Sequence, residues 1–340
     1  MERSKKLNLG INILRMWMAF EVILLHRMSW KGYDGLFFNF LKRCELFSVP
    51  VFMIIAFYLS TKAIEEQDPA KIRNRFIRLM IPQVGWAIIC WIAYVLMDIV
   101  FMHQLSHNFM DLIIAIISGC RETVNPSTWF QCVLIILTAF YCFVFHVFDK
   151  KKAWIIVYVS FIVSLLIQFN GSYYDFFENT PYEVTNTIGR IFEVMPFTCI
   201  GMFLKHIEVY KLFENIRIPA IALCGLLFIV GFYIPFPQFK GFFAGPYTVY
   251  MSTLLFICFL LFPLENVKEK ARNVIITVTR FTLGIYCAHR LVYGILDVVY
   301  ELIKIEPKNF SKCIITYLAC YLMSLILSMI PVGFIKKMVD

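Results

Sequence analysis

The chain has 340 residues, 60% of them hydrophobic and 17% aromatic, with a mean hydropathy of +0.73 and a formal net charge of +9. A soluble globule is about 45–50% apolar, so this composition excludes an ordinary water-soluble domain and calls for lipid as a second solvent. Apolar runs of about 17–25 residues recur without strict alternation, which excludes a membrane β-barrel and predicts an all-α, polytopic membrane protein.

About ten spans are predicted, centred near Ala19, Ile54, Ile89, Leu137, Tyr158, Phe197, Leu226, Leu255, Ile285 and Leu322. The first carries two residues that a membrane helix ordinarily avoids, Arg15 and His26. An ionisable side chain there costs roughly 2.5–3.5 kcal/mol on insertion scales and normally faces a partner or a polar cavity. At about 100° per residue the eleven steps between them return to within about 20°, so both lie on one stripe, about 16 Å apart in depth. His26 suits a general base, because its pKa lies near working pH, and Arg15 a fixed positive charge deeper in the same cavity. The plain alternatives are a boundary histidine and a structural ion pair of Arg15 with Glu21, Glu45 or Glu193. The segment has the basic flank of a secretory signal, but no small-x-small site precedes Arg27-Met28-Ser29-Trp30, and retention as an anchor is expected.

Before the third span lie Lys71, Arg73, Arg75 and Arg78. Residues at i and i+3 are helix neighbours, so Arg75 and Arg78 are expected to point the same way at a helix N-terminus and to suit a phosphate or pyrophosphate. The competing reading is a positive-inside cluster that snorkels to headgroups. A short apolar stretch, Ile113 to Ile117, is expected to be a surface or re-entrant segment. Trp129-Phe130 opens the fourth span, where an interfacial anchor is the default. The connection from Phe169 to Gly189 is acidic and aromatic, a composition that suits carbohydrate or an interfacial belt, and Asn170-Gly171-Ser172 matches a glycosylation sequon. The sixth span is interrupted by Arg190, Glu193 and Pro196. His289, in the ninth, is expected in the outer half near the depth of His26, as a second proton carrier or a hydrogen-bonded packing residue.

With the N-terminus inside, nineteen Lys and Arg fall on inner segments against ten outside. This bias predicts both termini in the cytoplasm and makes the positive charge a topology signal, with no nucleic-acid partner implied. The cysteines lie mostly within spans and none has metal-ligand spacing, so small apolar packing is expected and no metal. With no connection long enough for a soluble domain, residues 1–340 are expected to form a single membrane domain.

Together these residues resemble the acyltransferase 3 family, integral membrane acyltransferases of cell-surface glycans. The first span is similar to its arginine-to-histidine pattern through Arg15, Ala19 and Val22-Ile23-Leu24-Leu25-His26. Val49-Pro50-Val51-Phe52 with Tyr58-Leu59, the Arg75-x-x-Arg78 pair, Trp129-Phe130, and Gly284-Ile285-Tyr286 followed by His289 are similar to four further landmarks. Departures are Ala56-Phe57, where the family usually has serine-glycine, and Ser127, where it often has histidine.

The resemblance implies transfer of an acyl group, most commonly acetyl, from acyl-CoA to a hydroxyl of a surface or lipid-linked polysaccharide. Acyl-CoA (acetyl-CoA) would be a co-substrate, with no bound cofactor, in the cell (plasma) membrane. His26 and Arg15 would be catalytic and Arg75 and Arg78 donor-binding, with His289, Trp129 and Glu193 supporting them or contacting the acceptor. Direct transfer and an acyl-enzyme route both stay open. A membrane exporter of a glycan or lipid-linked sugar is the alternative function, since Arg15, His26 and Glu193 also suit a substrate path.

Overall fold

Caps and helix breakers divide the chain into helices alone. A computed structural model describes residues 8–102, 106–119, 124–170, 180–233, 245–264 and 267–339, with no strand among them. Asn8 opens α1 (Leu9–Arg27) by accepting from the Ile11 amide. After a short helix α2 (Leu36–Cys44), α3 runs over Ser48–Glu65. Asp68 caps α4 (Pro69–Met97), with Pro69 at its first position. An Asn108/Asp111 capping box starts α5 (Phe109–Ser118), which ends at Gly119 in the left-handed region.

Apart from short turns at Tyr182–Val184 and Val209–Leu212, the chain continues with α6 (Trp129–Val147), α7 (Lys150–Asn170), α8 (Arg190–His206) and α9 (Arg217–Tyr233). They are followed by α10 (Pro246–Leu261), α11 (Glu269–Thr279), α12 (Thr282–Ile303), α13 (Asn309–Met329) and α14 (Gly333–Val339).

All ten predicted span centres fall inside helices. Nine helical segments among the described residues are long and apolar enough to cross a membrane. The exception is α10, whose 16 residues rise only about 24 Å against a hydrocarbon thickness of about 30 Å. The stretch Ile113 to Ile117 lies in α5, far too short to span, with Leu112 and Ala115 buried and Phe109 and Ile117 exposed. Gln83 of α4 donates to the Ile116 carbonyl at 3.1 Å, which ties that apolar face to the bundle. Most of the loop expected to contact carbohydrate or interface, including Gly171 and Ser172 of the sequon, lies outside the described residues.

Helix α1 sits in the middle of the bundle, packed by α3, α10, α11, α12 and α13. Burial varies widely among the helices: 72% of the apolar window is covered in the α3 segment and 50% in the α11–α12 segment, but only 22% in α13 and 17% in α9. The covered face is built by close approach as well as by large side chains. A Cβ at Gly201 of α8 would overlap the Ile54 carbonyl of α3, and one at Gly10 of α1 would overlap that of Phe259. Small residues at such crossings maximise dispersion contacts where lipid supplies no hydrophobic drive.

Candidate active site

His26 lies in the last turn of α1 and His289 in α12. Their rings stack, with centroids 5.2 Å apart and planes within 18°, so the two histidines do share one depth. His289 is fully buried, and its Nδ1 lies 2.5 Å from the Tyr286 carbonyl oxygen. A carbonyl can only accept, so Nδ1 carries the proton of the neutral ring and Nε2 keeps a lone pair. That lone pair faces the Ser127 hydroxyl at 3.4 Å.

His26 is fixed in the opposite sense. Arg290 Nη2 lies 2.9 Å from its Nδ1; a guanidinium only donates, so Nδ1 accepts and the neutral ring presents Nε2–H. Arg290 also donates to the Tyr293 hydroxyl. Behind it, Arg27 grips Asp297 with two bonds of 2.8 and 3.0 Å, tying the end of α1 to α12.

Trp129 and Glu193 join the cluster through Arg190, whose guanidinium lies 5.4 Å from the Trp129 ring centroid and pairs with the buried Glu193 carboxylate. Arg190 is also within electrostatic range of His26. The cation that interrupts the sixth predicted span is therefore close enough for its field to reach His26. Gln168 of α7 donates to the Glu193 carbonyl at 2.9 Å and holds that turn of α8 in place.

Arg15 stands about 16 Å down the same helix, half-buried, and forms no hydrogen bond or ion pair among the described residues. Its three candidate partners are engaged elsewhere: Glu21 with Trp17 Nε1 at 2.6 Å, Glu45 with Trp30 Nε1 at 3.0 Å, and Glu193 with Arg190. The structural ion pair is therefore absent among the described residues. Arg15 is a cation inside the bundle with its donors unspent.

The expected pairing of Arg75 with Arg78 needs correction. Both lie beyond the free first-turn amides of α4, because the helix already begins at Pro69. Three residues amount to about 300° of rotation, and here that is enough to separate them. Arg75 turns inward, donating from Nε to Thr138 Oγ1 at 3.1 Å and from Nη1 to the Ala56 carbonyl at 3.2 Å, while Arg78 is exposed. The guanidinium of Arg75 also lies 5.2 Å from the Phe57 ring centroid, and its Nη2 is buried with no hydrogen-bond partner among the described residues.

Residues 8–332 match a family model described as an acyltransferase domain, Acyl_transf_3. The chain belongs to the acyltransferase 3 family. No curated protein and no solved structure matches it.

In this acyltransferase 3 chain the sequence landmarks converge. Phe52 of α3 packs edge-on against Phe130 of α6 and Tyr286 of α12, at 6.0 and 5.9 Å, and the last two lie 5.1 Å apart. The Ala56-Phe57 departure supplies the carbonyl and the ring that hold Arg75. Arg290 escaped the sequence reading although a cation beside His289 within an apolar span carries the same insertion cost that singles out Arg15. Asn125 also escaped it: its Oδ1 accepts from the Ser127 amide and its Nδ2 donates to the Cys287 carbonyl, both at 3.1 Å. Among the described residues no cluster of three or more potential ligands offers a metal site.

Proposed function

We propose that this protein transfers an acyl group, in the first instance acetyl, from acyl-CoA to a hydroxyl of a surface or lipid-linked polysaccharide at the cell membrane. The observation that carries this reading is the His26–His289 stack, with Arg290 on His26, at one end of a helix whose other half holds Arg15, unpartnered among the described residues. A proton acceptor and a spare cation at two depths suit a donor and an acceptor that approach from opposite sides. The positive-inside bias places the Arg15 half toward the cytoplasm, where acyl-CoA is made, and both termini on that side.

In this mechanism the buried, unspent Nη2 of Arg75 and the guanidinium of Arg15 hold the anionic part of the donor and draw its acyl arm into the bundle. Arg78, exposed on α4, is better placed to meet headgroup phosphates than to complete a clamp. His26 takes the acceptor proton through Nδ1, which requires Arg290 to leave that nitrogen. The negative charge developing on the acyl oxygen attracts Arg290, so oxyanion stabilisation and release of the base become one movement. Trp129 and Arg190 present an aromatic face and a cation to the acceptor sugar, and Glu193 orients Arg190.

The test is reconstitution of the full chain in lipid nanodiscs with radiolabelled acetyl-CoA and oligosaccharides cut from the host's surface polysaccharide. Wild type should transfer label to sugar and His26→Ala should not. Undiminished transfer by a folded His26→Ala variant removes the base assignment. Movement of sugar across liposomes without any acyl donor would instead favour the exporter.

A further inference from the structure

Ser127 lies in the 3-10 turn Pro126–Thr128 that leads into α6, and its main chain is held from two sides. The Asn125 side chain accepts from its amide, and the Tyr286 hydroxyl donates to its carbonyl at 3.1 Å. The hydroxyl faces Nε2 of His289, whose opposite nitrogen is locked in the protonated form by the Tyr286 carbonyl. A hydroxyl, an imidazole with its lone pair toward that hydroxyl, and a third group that fixes the ring together make the arrangement of an activated serine. The 3.4 Å separation is longer than a working hydrogen bond, as such contacts commonly are before substrate binds.

The geometry points to Ser127 as the residue that carries the acyl group between donor and acceptor. This rests on the acyl-transfer reading and makes it a two-step reaction. In the first step Ser127 Oγ bonds to the thioester carbon and the carbon–sulfur bond breaks. The serine proton passes to Nε2 of His289 and on to the departing sulfur, and the free thiol leaves. In the second step the acceptor oxygen bonds to the same carbon and the bond to Oγ breaks. His26 takes the proton of the acceptor and releases it to water, and Nε2 of His289 delivers a proton from water to Oγ, which regenerates the serine. Nothing is oxidised or reduced, and each half-reaction moves one acyl group and one proton. His289 thereby acquires a role distinct from that of His26: it serves the serine, while the more exposed His26 meets the acceptor.

The experiment uses the full chain in lipid nanodiscs with [14C]acetyl-CoA and no acceptor, quenched in acid within milliseconds to seconds. Label should reach one acetyl group per chain, map to Ser127 by mass spectrometry, and move onto oligosaccharide when acceptor is added. Ser127→Ala should carry no label and transfer on the order of 100-fold more slowly or worse. The bonds that position this residue use its backbone, so the alanine variant keeps them, and its melting temperature checks that it folds. Ser127→Cys should take up label that neutral hydroxylamine removes, as a thioester requires. Transfer by Ser127→Ala within about threefold of wild type overturns the assignment, and so does a wild-type enzyme that transfers acetyl without ever holding it; either result leaves the acyl-transfer reading standing. If the wild-type chain consumes no acyl-CoA with or without oligosaccharide, that reading falls and the serine with it.

Discussion

Arg290 occupies the one nitrogen of His26 that has no proton. At 2.9 Å its Nη2 donates to Nδ1, so the resting arrangement holds a base that is already engaged. Two consequences of removing this guanidinium oppose each other: Nδ1 becomes free, and the oxyanion loses a donor. Loss of one such donor typically lowers turnover by about 10²–10³, or roughly 2.7–4 kcal/mol, whereas freeing the imidazole from a charge-assisted bond gains about 1.5–3 kcal/mol. The donor effect wins. Arg290→Met is expected to lower kcat by about tenfold with little change in the KM for acyl-CoA, and a rise in kcat would show Arg290 to be a brake instead.

The two arginines of α4 should separate in kinetics as they do in space. Arg75→Ala removes the donors on Thr138 Oγ1 and the Ala56 carbonyl and the cation over Phe57. Charge-assisted bonds of this kind are worth about 1.5–3 kcal/mol each, so both thermal stability and donor affinity should fall, the latter by about tenfold or more. Arg78→Ala faces solvent or headgroups and should leave both within about twofold. Calorimetric titration of each variant with acyl-CoA decides the matter, and equal losses from the two would restore the paired clamp.

What the sequence made legible follows from what each signal measures. Hydropathy reports burial in any apolar phase, so it located all ten centres, yet it does not fix helix length, and α10 begins only at Pro246 and ends at Leu261. The insertion cost of charge identified Arg15 and His26 because each stands nearly alone in an apolar run. The same argument was blurred at Arg290 by its neighbour His289. Periodicity pointed Arg75 and Arg78 the same way, but the packing of α4 against α3 and α6 takes Arg75 inside and leaves Arg78 out. Ser127 was beyond reach for a different reason. A serine becomes a candidate nucleophile through a contact 162 residues away with His289 and a tautomer set by a backbone carbonyl, and neither leaves a mark in local sequence.

Helix α4 should show a simple pH dependence at its cap. Asp68 accepts from the Ala70 and Lys71 amides, and its carboxylate lies 2.8 Å from Lys71 Nζ. The hydrogen bond from that ammonium, with the amide bonds, holds the Asp68 carboxyl below its ordinary value. A carboxylate depressed on folding contributes stability that is complete above its unfolded pKa of about 3.9 and is lost as pH falls through the lower folded value. Between pH 5 and 8 the contribution of Asp68 should therefore be flat. Asp68→Ala should lower the melting temperature across that range, with a smaller loss for Asp68→Asn, which keeps an acceptor for the amides. The gap between Asp68→Ala and wild type should narrow only in strong acid, and a gap that changes between pH 5 and 8 would rule out this origin.

Arg15 gives a case in which function and stability should part. A cation in the bundle without a carboxylate partner bears its desolvation cost uncompensated. Its replacement by Gln or Leu removes that cost and breaks no hydrogen bond or ion pair among the described residues. Most substitutions inside a packed bundle destabilise by about 0.5–3 kcal/mol, so an unchanged or raised melting temperature in Arg15→Leu would itself be diagnostic of a residue retained at a cost to the fold. The same variant should lose acyl transfer by about 10²-fold or more if Arg15 stabilises charge on the donor. Arg15→Lys should recover part of it, since a point charge replaces the cation but not the planar fork. A variant that melts lower and transfers normally would reverse both halves of the prediction and return Arg15 to a structural role.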